Sequence, residues 1–240
     1  MKTVWLESVD STNSYIKSHA EVEPLTIYAA LRQFAGRGQR GNIWESEPGR
    51  NLTISFWFEP EAIKPAAQFV ISEAVALSLK LLLEKYGIAA KVKWPNDIYV
   101  EDKKICGILI ENSIIGSSIS KSIVGIGLNV NQLEFVSDAP NPVSMAKLLH
   151  RQFSLDEVAE GLGKYLLYNI GRLGEAETLH QEYINGLWRG DGNNYPFRDS
   201  RAGTVFHASI ETVEASGHLI LRDTSGRLRR YAFKEVEALL

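Results

Sequence analysis

The chain has 240 residues, 45% of them hydrophobic, and a formal charge of −3, which fits one large domain or a domain with a smaller appendage around a sizeable core. The acidic balance gives no general reason to hold a nucleic-acid backbone, and the N-terminus lacks a basic segment followed by an apolar h-region. The apolar runs are too short or too interrupted to span a bilayer, and one cysteine, Cys106, supplies neither a disulfide framework nor a Cys-based metal cluster, so the sequence reads as cytoplasmic with no membrane span.

Thr3–Glu7 is short and rich in β-formers, which predicts a strand. It runs into Asp10-Ser11-Thr12-Asn13, a cluster that can cap a short helix ending before Glu23-Pro24. Capping accounts for one of these four side chains; a polar pocket wall would use the others. Thr26–Leu31 predicts a second strand, which delivers Arg32-Gln33-Phe34 to Gly36-Arg37-Gly38-Gln39-Arg40-Gly41, with Trp44 after two further residues. Three glycines allow close backbone approach and convergent amides, two arginines add forked cationic donors, and the indole offers a flat face for a purine. The same residues also fit a solvated surface loop.

Asn51–Phe58 alternates as a strand with an aromatic finish, and Ala66 to about Tyr86 carries the longest helical pattern, stopped at Gly87. In Lys93-Trp94-Pro95-Asn96-Asp97 a proline breaks a strand pattern and leaves an amide and a carboxylate at the break. Lys103–Glu111 predicts a hairpin strand with Gly107 inside it and Lys104 near that glycine, and Ile123–Asn131 a strand with Gly125 and Gly127 on one face. Helices are expected over Ser144–His150, Leu155–Ile170 and Glu175–Leu187. A turn-rich cluster at Gly190–Asn194 marks a boundary, giving a first domain over 1–190 and a second over 191–240. Strands at Thr204–Val213, Leu219–Arg222 and Leu228–Phe233 predict a small β-barrel, with Arg227, Arg229 and Arg230 at a solvated edge or facing the nucleotide.

In this order the Asp10–Asn13 cluster, the Gly36–Trp44 loop, Lys93–Asp97 with Lys104–Glu111, and Gly125–Asn131 resemble the bacterial biotin protein ligases over essentially the whole chain. The resemblance implies an α/β (α+β) fold: a mixed-sheet catalytic domain related to class II aminoacyl-tRNA synthetases, then an SH3-like barrel. It also implies the form without an N-terminal DNA-binding domain. The implied reaction joins biotin and ATP, with Mg²⁺, into biotinyl-5′-AMP and then acylates a lysine of a biotin carboxyl carrier protein. Carried over, Ser11, Thr12, Asn13, Gln33, Gly36, Arg37, Gly38, Gln39, Lys104 and Gly107 would face biotin, while Arg37, Arg40, Trp44 and Asn129 would face ATP. Arg37 and Lys104 would be the catalytic cations, with Asp97 a candidate proton acceptor or orienting group in the second step; the Mg²⁺ ligands are not assigned. Many family members carry arginine where this chain has Gln39 and a basic residue where it has Asn42, so holding the adenylate would fall to Arg40 or the barrel's arginines. Strand edges could pair two subunits. A lipoate–protein ligase is the alternative enzyme, although it would not be expected to carry the Gly-Arg-Gly loop; a nucleic-acid-binding module is the alternative of another class.

Overall fold

The computed structural model describes residues 1–38, 43–60, 63–136 and 141–240. Among them the strands form two sheets. The first runs β1 (Thr3–Val9), β2 (Ile27–Gln33), β3 (Leu52–Phe58), β7 (Ser118–Leu128), β6 (Lys103–Ile115), β5 (Asp97–Val100), β4 (Lys91–Lys93). β1 and β2 are parallel, joined through helix α1 (Thr12–Ser18), and every other neighbour is antiparallel, so the sheet is mixed as expected.

The two faces of β3 explain how the molecule is layered. Leu52, Ile54, Phe56 and Phe58 enter the main core, in one cluster with Leu79, Leu82 and Leu83 of helix α2 (Phe69–Lys85). The alternate residues serve the opposite face: Ser55 bonds to α1, and Trp57 packs on a small cluster of Ile16, Val22, Tyr28 and Ile123. α2 starts later than its periodicity predicts, because Pro65 opens a separate 3-10 turn over Pro65–Ala67. It stops where expected: Gly87 takes φ +80, and the Gly87 and Ile88 amides return to the carbonyls of Glu84 and Leu83. Contrary to the sequence reading, Pro65–Lys85 is by length and composition apolar enough to cross a membrane, but 67% of its 18-residue apolar window is buried inside the fold. Helices α4 (Leu155–Ile170) and α5 (Ala176–Asn185) pack on α2, and the short α3 (Met145–Leu149) follows Ser144, which caps it.

The second sheet is antiparallel, in the order β11 (Leu228–Tyr231), β10 (Leu219–Asp223), β9 (Val205–Val213), β8 (Tyr195–Asp199), β12 (Val236–Ala238). Among the described residues no ladder joins β11 to β12, so the sheet is compatible with a barrel without being closed. β8 and β12 escaped the sequence reading, β8 because Pro196 interrupts it and β12 because three residues carry no periodicity. β7 ends at Leu128 rather than Asn131: the Asn129 amide still reaches Ile105 O of β6, but the Asn131 amide turns to Arg50 O, outside the strands.

The β9–β10 turn ties the two sheets together. Gly217, at φ +86, lies against Phe69 at the start of α2, and its carbonyl accepts from Trp94 Nε1 at 2.9 Å. A Cβ there would stand 2.8 Å from Phe69 Cδ2 in a backbone region that disfavours side chains. Gly217→Ala should therefore destabilise the protein by about 1–2 kcal/mol, read by urea unfolding, whereas Gly226→Ala, with no neighbour near its missing Cβ, should lose only the backbone part.

Candidate functional site

A cavity of about 1160 Å³ opens on the α1 face of the mixed sheet. Its floor follows from strand register. Gly107 of β6 pairs directly with Gly127 of β7, and Gly125 of β7 sits opposite Ser55 of β3, so three positions facing one side carry no side chain. A flat floor of this kind admits a ring or an extended chain against the backbone. Two side chains lie on it. The Trp44 indole covers Gly127 and Gly107, with Cζ3 at 2.9 Å from where a Gly107 Cβ would be, and Asn13 Oδ1 covers Gly125.

The polar end is built by α1. Ser11 is its N-cap, accepting from the Ser14 amide at 3.1 Å, and Asp10 accepts from the Ser11 amide at 2.6 Å. Capping thus uses Ser11, and the next two residues turn into the cavity wall. Gln33 Oε1 accepts from the Thr12 amide at 2.7 Å, and Ser55 Oγ lies 2.6 Å from Thr12 Oγ1 and 2.5 Å from Asn13 Oδ1. Asn13 Nδ2 donates to Glu111 at 2.8 Å, and Lys17 pairs with the same carboxylate at 2.6 Å. Burial disfavours the charged Glu111, but hydrogen bonds from Lys17 and Asn13, with the charges of Lys17 and Arg37, hold it below its ordinary value.

The loop over this end is drawn in at its base: the Trp44 amide donates to Gly36 O at 3.0 Å, and Arg37 bridges to Ile43. Gly36 is buried, and a Cβ on it would stand 2.6 Å from the Trp44 carbonyl oxygen. Arg37 is exposed, and both it and Gly38 line the cavity. Gln39 and Arg40, also expected here, lie outside the described residues. Trp44 Nε1 is buried without a hydrogen-bond partner, which costs about 1–3 kcal/mol and leaves a donor for whatever enters.

The charged end comes from the Trp94–Asp97 break and β6. Asn96 donates from Nδ2 to Ile108 O at 2.6 Å and accepts the Ile108 amide at 2.9 Å, which clamps the break onto the floor strand. This places Asp97 2.7 Å from Lys104, whose ammonium lies 5.6 Å from the Trp44 ring. Lys93 joins them: its Nζ donates to Tyr99 at 3.0 Å and sits over the Tyr99 ring, and burial lowers its pKa, opposed by Asp97 and reinforced by Lys104. Asn129, buried, donates to Val143 O at 3.0 Å and borders the cavity. Cys106 is fully buried beside this end, and burial pushes its thiol well up.

The structure therefore gathers Ser11, Thr12, Asn13, Gln33, Gly36, Arg37, Gly38, Trp44, Asp97, Lys104, Gly107 and Asn129 around one cavity. Sequence reasoning missed Ser55, which only strand register could have placed, and the roles of Lys93 and Glu111. It also missed the second sheet's Phe233, Lys234 and Glu237, which close the far side. Of the second sheet's arginines, Arg229 pairs with Asp223 and Arg230 with Glu214, and none of Arg227, Arg229 and Arg230 lines the cavity.

A model of the biotin/lipoate A/B protein ligase family matches residues 5–129. The biotin–acetyl-CoA-carboxylase ligase of Paracoccus denitrificans is 30% identical over 237 residues, which cover 92% of this chain and 95% of that protein. The bifunctional ligase/repressor BirA of Escherichia coli (strain K12) is 35% identical over 127 residues, 52% of this chain and 39% of that protein, so this chain covers well under two thirds of that relative. Among solved structures, biotin protein ligase from Aquifex aeolicus in complex with biotin and ATP matches with a TM-score of 0.83 over 99% of both chains, at 24% identity, a likeness of fold.

Glu111 gives the site a pH signature. Its folded pKa is depressed, so its contribution to stability is fully present above the ordinary value of 4.5 and is lost as pH falls through the folded value. Urea unfolding between about pH 6 and 3 should show Glu111→Gln less stable than the wild type at the upper end, with the difference shrinking towards the lower.

Proposed function

The chain belongs to the biotin/lipoate A/B protein ligase family, and we propose that it is a biotin protein ligase that makes biotinyl-5′-AMP from biotin and ATP and transfers biotin to a lysine of a biotin carboxyl carrier protein. The observation that carries this reading is one cavity of about 1160 Å³ that joins a neutral hydrogen-bonding end, a glycine floor and a lysine–aspartate pair. That volume suits two substrates laid end to end better than one small molecule.

In this reading the ring of biotin meets Ser11, Thr12, Asn13 and Gln33, with Gly36, Arg37, Gly38 and Gln39 closing over it. The biotin chain runs along Gly107 and Gly127 towards Lys104. Trp44 must then leave the floor, and its indole is free to face the adenine, with Asn129 and Arg40 on the nucleotide. A biotin carboxylate oxygen attacks the α-phosphorus of ATP, the acyl–O–P bond forms, and pyrophosphate leaves. Two anions meet in that step, so the cations Lys104 and Arg37 supply the stabilisation it chiefly needs. Lys93 adds a further positive charge at the same end.

Among the described residues no group of three His, Cys, Asp or Glu side chains is placed to hold a metal. A Mg²⁺ arriving with ATP fits this site through the phosphates, with Asp97 the nearest protein carboxylate to Lys104. It would supply charge neutralisation on the phosphate oxygens.

In the second step the carrier's lysine nitrogen attacks the acyl carbon, the acyl–oxygen bond breaks, and AMP departs. The amine must lose a proton, and Asp97 accepts it or orients the amine. The carrier domain reaches this point between the mixed sheet and the second sheet, which we take as an SH3-like barrel over 191–240 beside a catalytic domain over 1–190. The outer edge of β4 is taken, Val92 bonding to Gly186 O and to the Trp188 amide, so the edge of β1 is where two copies would pair, and a cytoplasmic location supplies the ATP.

Separating the half-reactions tests this reading. Purified protein with ATP and Mg²⁺ should exchange pyrophosphate into ATP with biotin but not with lipoate, and Lys104→Ala should reduce that exchange by at least about 100-fold. Asp97→Asn should slow transfer from preformed biotinyl-5′-AMP; unchanged transfer would remove Asp97 from the second step, and absence of exchange with either acid would refute the activity.

A further inference from the structure

The hydrogen bonds behind Thr12 carry a direction that the individual contacts do not reveal. Glu111 is the anchor. An ionised carboxylate only accepts, so the Asn13 amide must turn its Nδ2 to Glu111, which it does at 2.8 Å, and Lys17, 2.6 Å from the other oxygen, keeps the carboxylate charged. Asn13 Oδ1 then faces Ser55 Oγ at 2.5 Å and can only accept. Ser55 has a single proton, and it is committed to that oxygen. The 2.6 Å approach between Ser55 Oγ and Thr12 Oγ1 therefore requires the Thr12 proton, with Ser55 as acceptor. Ser55 is fully buried, so no water can substitute in this chain.

What remains at the cavity wall follows. Thr12 Oγ1 has spent its proton inward and presents lone pairs. Gln33 Oε1, 3.2 Å away, is a second and longer acceptor for the same proton and also accepts the Thr12 amide, so neither oxygen offers a donor to the cavity. Gln33 Nε2, held near Gly36, keeps its donors for a ligand. An N–H beside a C=O satisfies this wall, as in a cyclic urea.

We propose that Glu111, Asn13 and Ser55 are positioning residues that lock the Thr12 proton away from the cavity, so that Thr12 receives the ligand as an acceptor and the site selects a ring N–H. This rests on the biotin ligase reading, since the ureido ring supplies that N–H, and it gives Asn13 a role through Ser55 in addition to its place on the cavity wall.

The test uses biotin and its two cyclic carbamate analogues, each with one ureido N–H replaced by oxygen, and measures Kd by calorimetry on the full chain. In the wild type, one of the two analogues should bind at least about 10-fold more weakly than biotin, because its oxygen meets two acceptors. In Ser55→Ala the Thr12 proton is released and can turn to the carbamate oxygen, so that analogue-to-biotin ratio should fall by about 10-fold. Ser55→Thr, which keeps the hydroxyl, should retain it. Should Ser55→Ala fail to fold, Glu111→Gln, at a partly exposed position, permits the Asn13 amide to flip and should lower the ratio in the same sense. A merely structural role predicts equal weakening of all three ligands, and an unchanged ratio in the variants would overturn the proposal. No biotin binding by the wild type would instead overturn the proposed function.

Discussion

The pairing of Gly107 with Gly127 across β6 and β7 is the constraint on which the site depends. Ladder register sets it, so it cannot be adjusted locally: a slip by one residue would bring Cys106 or Ile108 of β6, or Ile126 or Leu128 of β7, to that face. Because the floor is bare backbone, the polar end at α1 and the charged end at Lys104 are joined by a path that no side chain of the strands themselves blocks. The occupant of that path in this structure is Trp44, whose partnerless Nε1 shows that the fit is incomplete. A ligand on the floor must displace the indole and can compensate with its own apolar surface and a partner for that N–H.

The two ends of the cavity differ in kind. At α1 the groups facing the cavity are neutral, and the charges of Lys17 and Glu111 act behind them by orienting amides and hydroxyls. At the far end the charges face the cavity themselves, with two lysines around one aspartate, and the second sheet limits their contact with water. Such an arrangement sorts a substrate by its hydrogen-bond pattern at one end and stabilises negative charge at the other, where a lower effective dielectric strengthens each interaction. Trp94 couples the halves, since it precedes the charged break and donates to the turn that docks the second sheet on α2.

Much of this was legible in the sequence because short-range chemistry produced it. A helix cap within Asp10–Asn13, the strand alternation at Asn51–Phe58, the helix stop at Gly87 and the break at Pro95 each follow from a few neighbouring residues, and the structure has all four, with Ser11 as the cap and the strand starting at Leu52. What could not be read depends on register or on distant partners. Ser55 looks like any small residue in a strand until pairing sets it opposite Gly125 and under Asn13. Glu111 sits 98 positions from Asn13 in the chain, and nothing local announces their contact. Trp44 lies on Gly107 and Gly127, a contact that becomes legible only once the β6–β7 register sets the two glycines side by side. β8 and β12 are held in the second sheet by their neighbours, with too little pattern of their own to show.

The most direct test of the account is a crystal structure of the protein with biotinyl-5′-AMP or a non-hydrolysable analogue. The account predicts the ligand chain lying on Gly107 and Gly127, the Trp44 indole displaced from both, and the ureido ring against Thr12 and Gln33. A bound adenylate that left Trp44 on the glycines and lay elsewhere would contradict it.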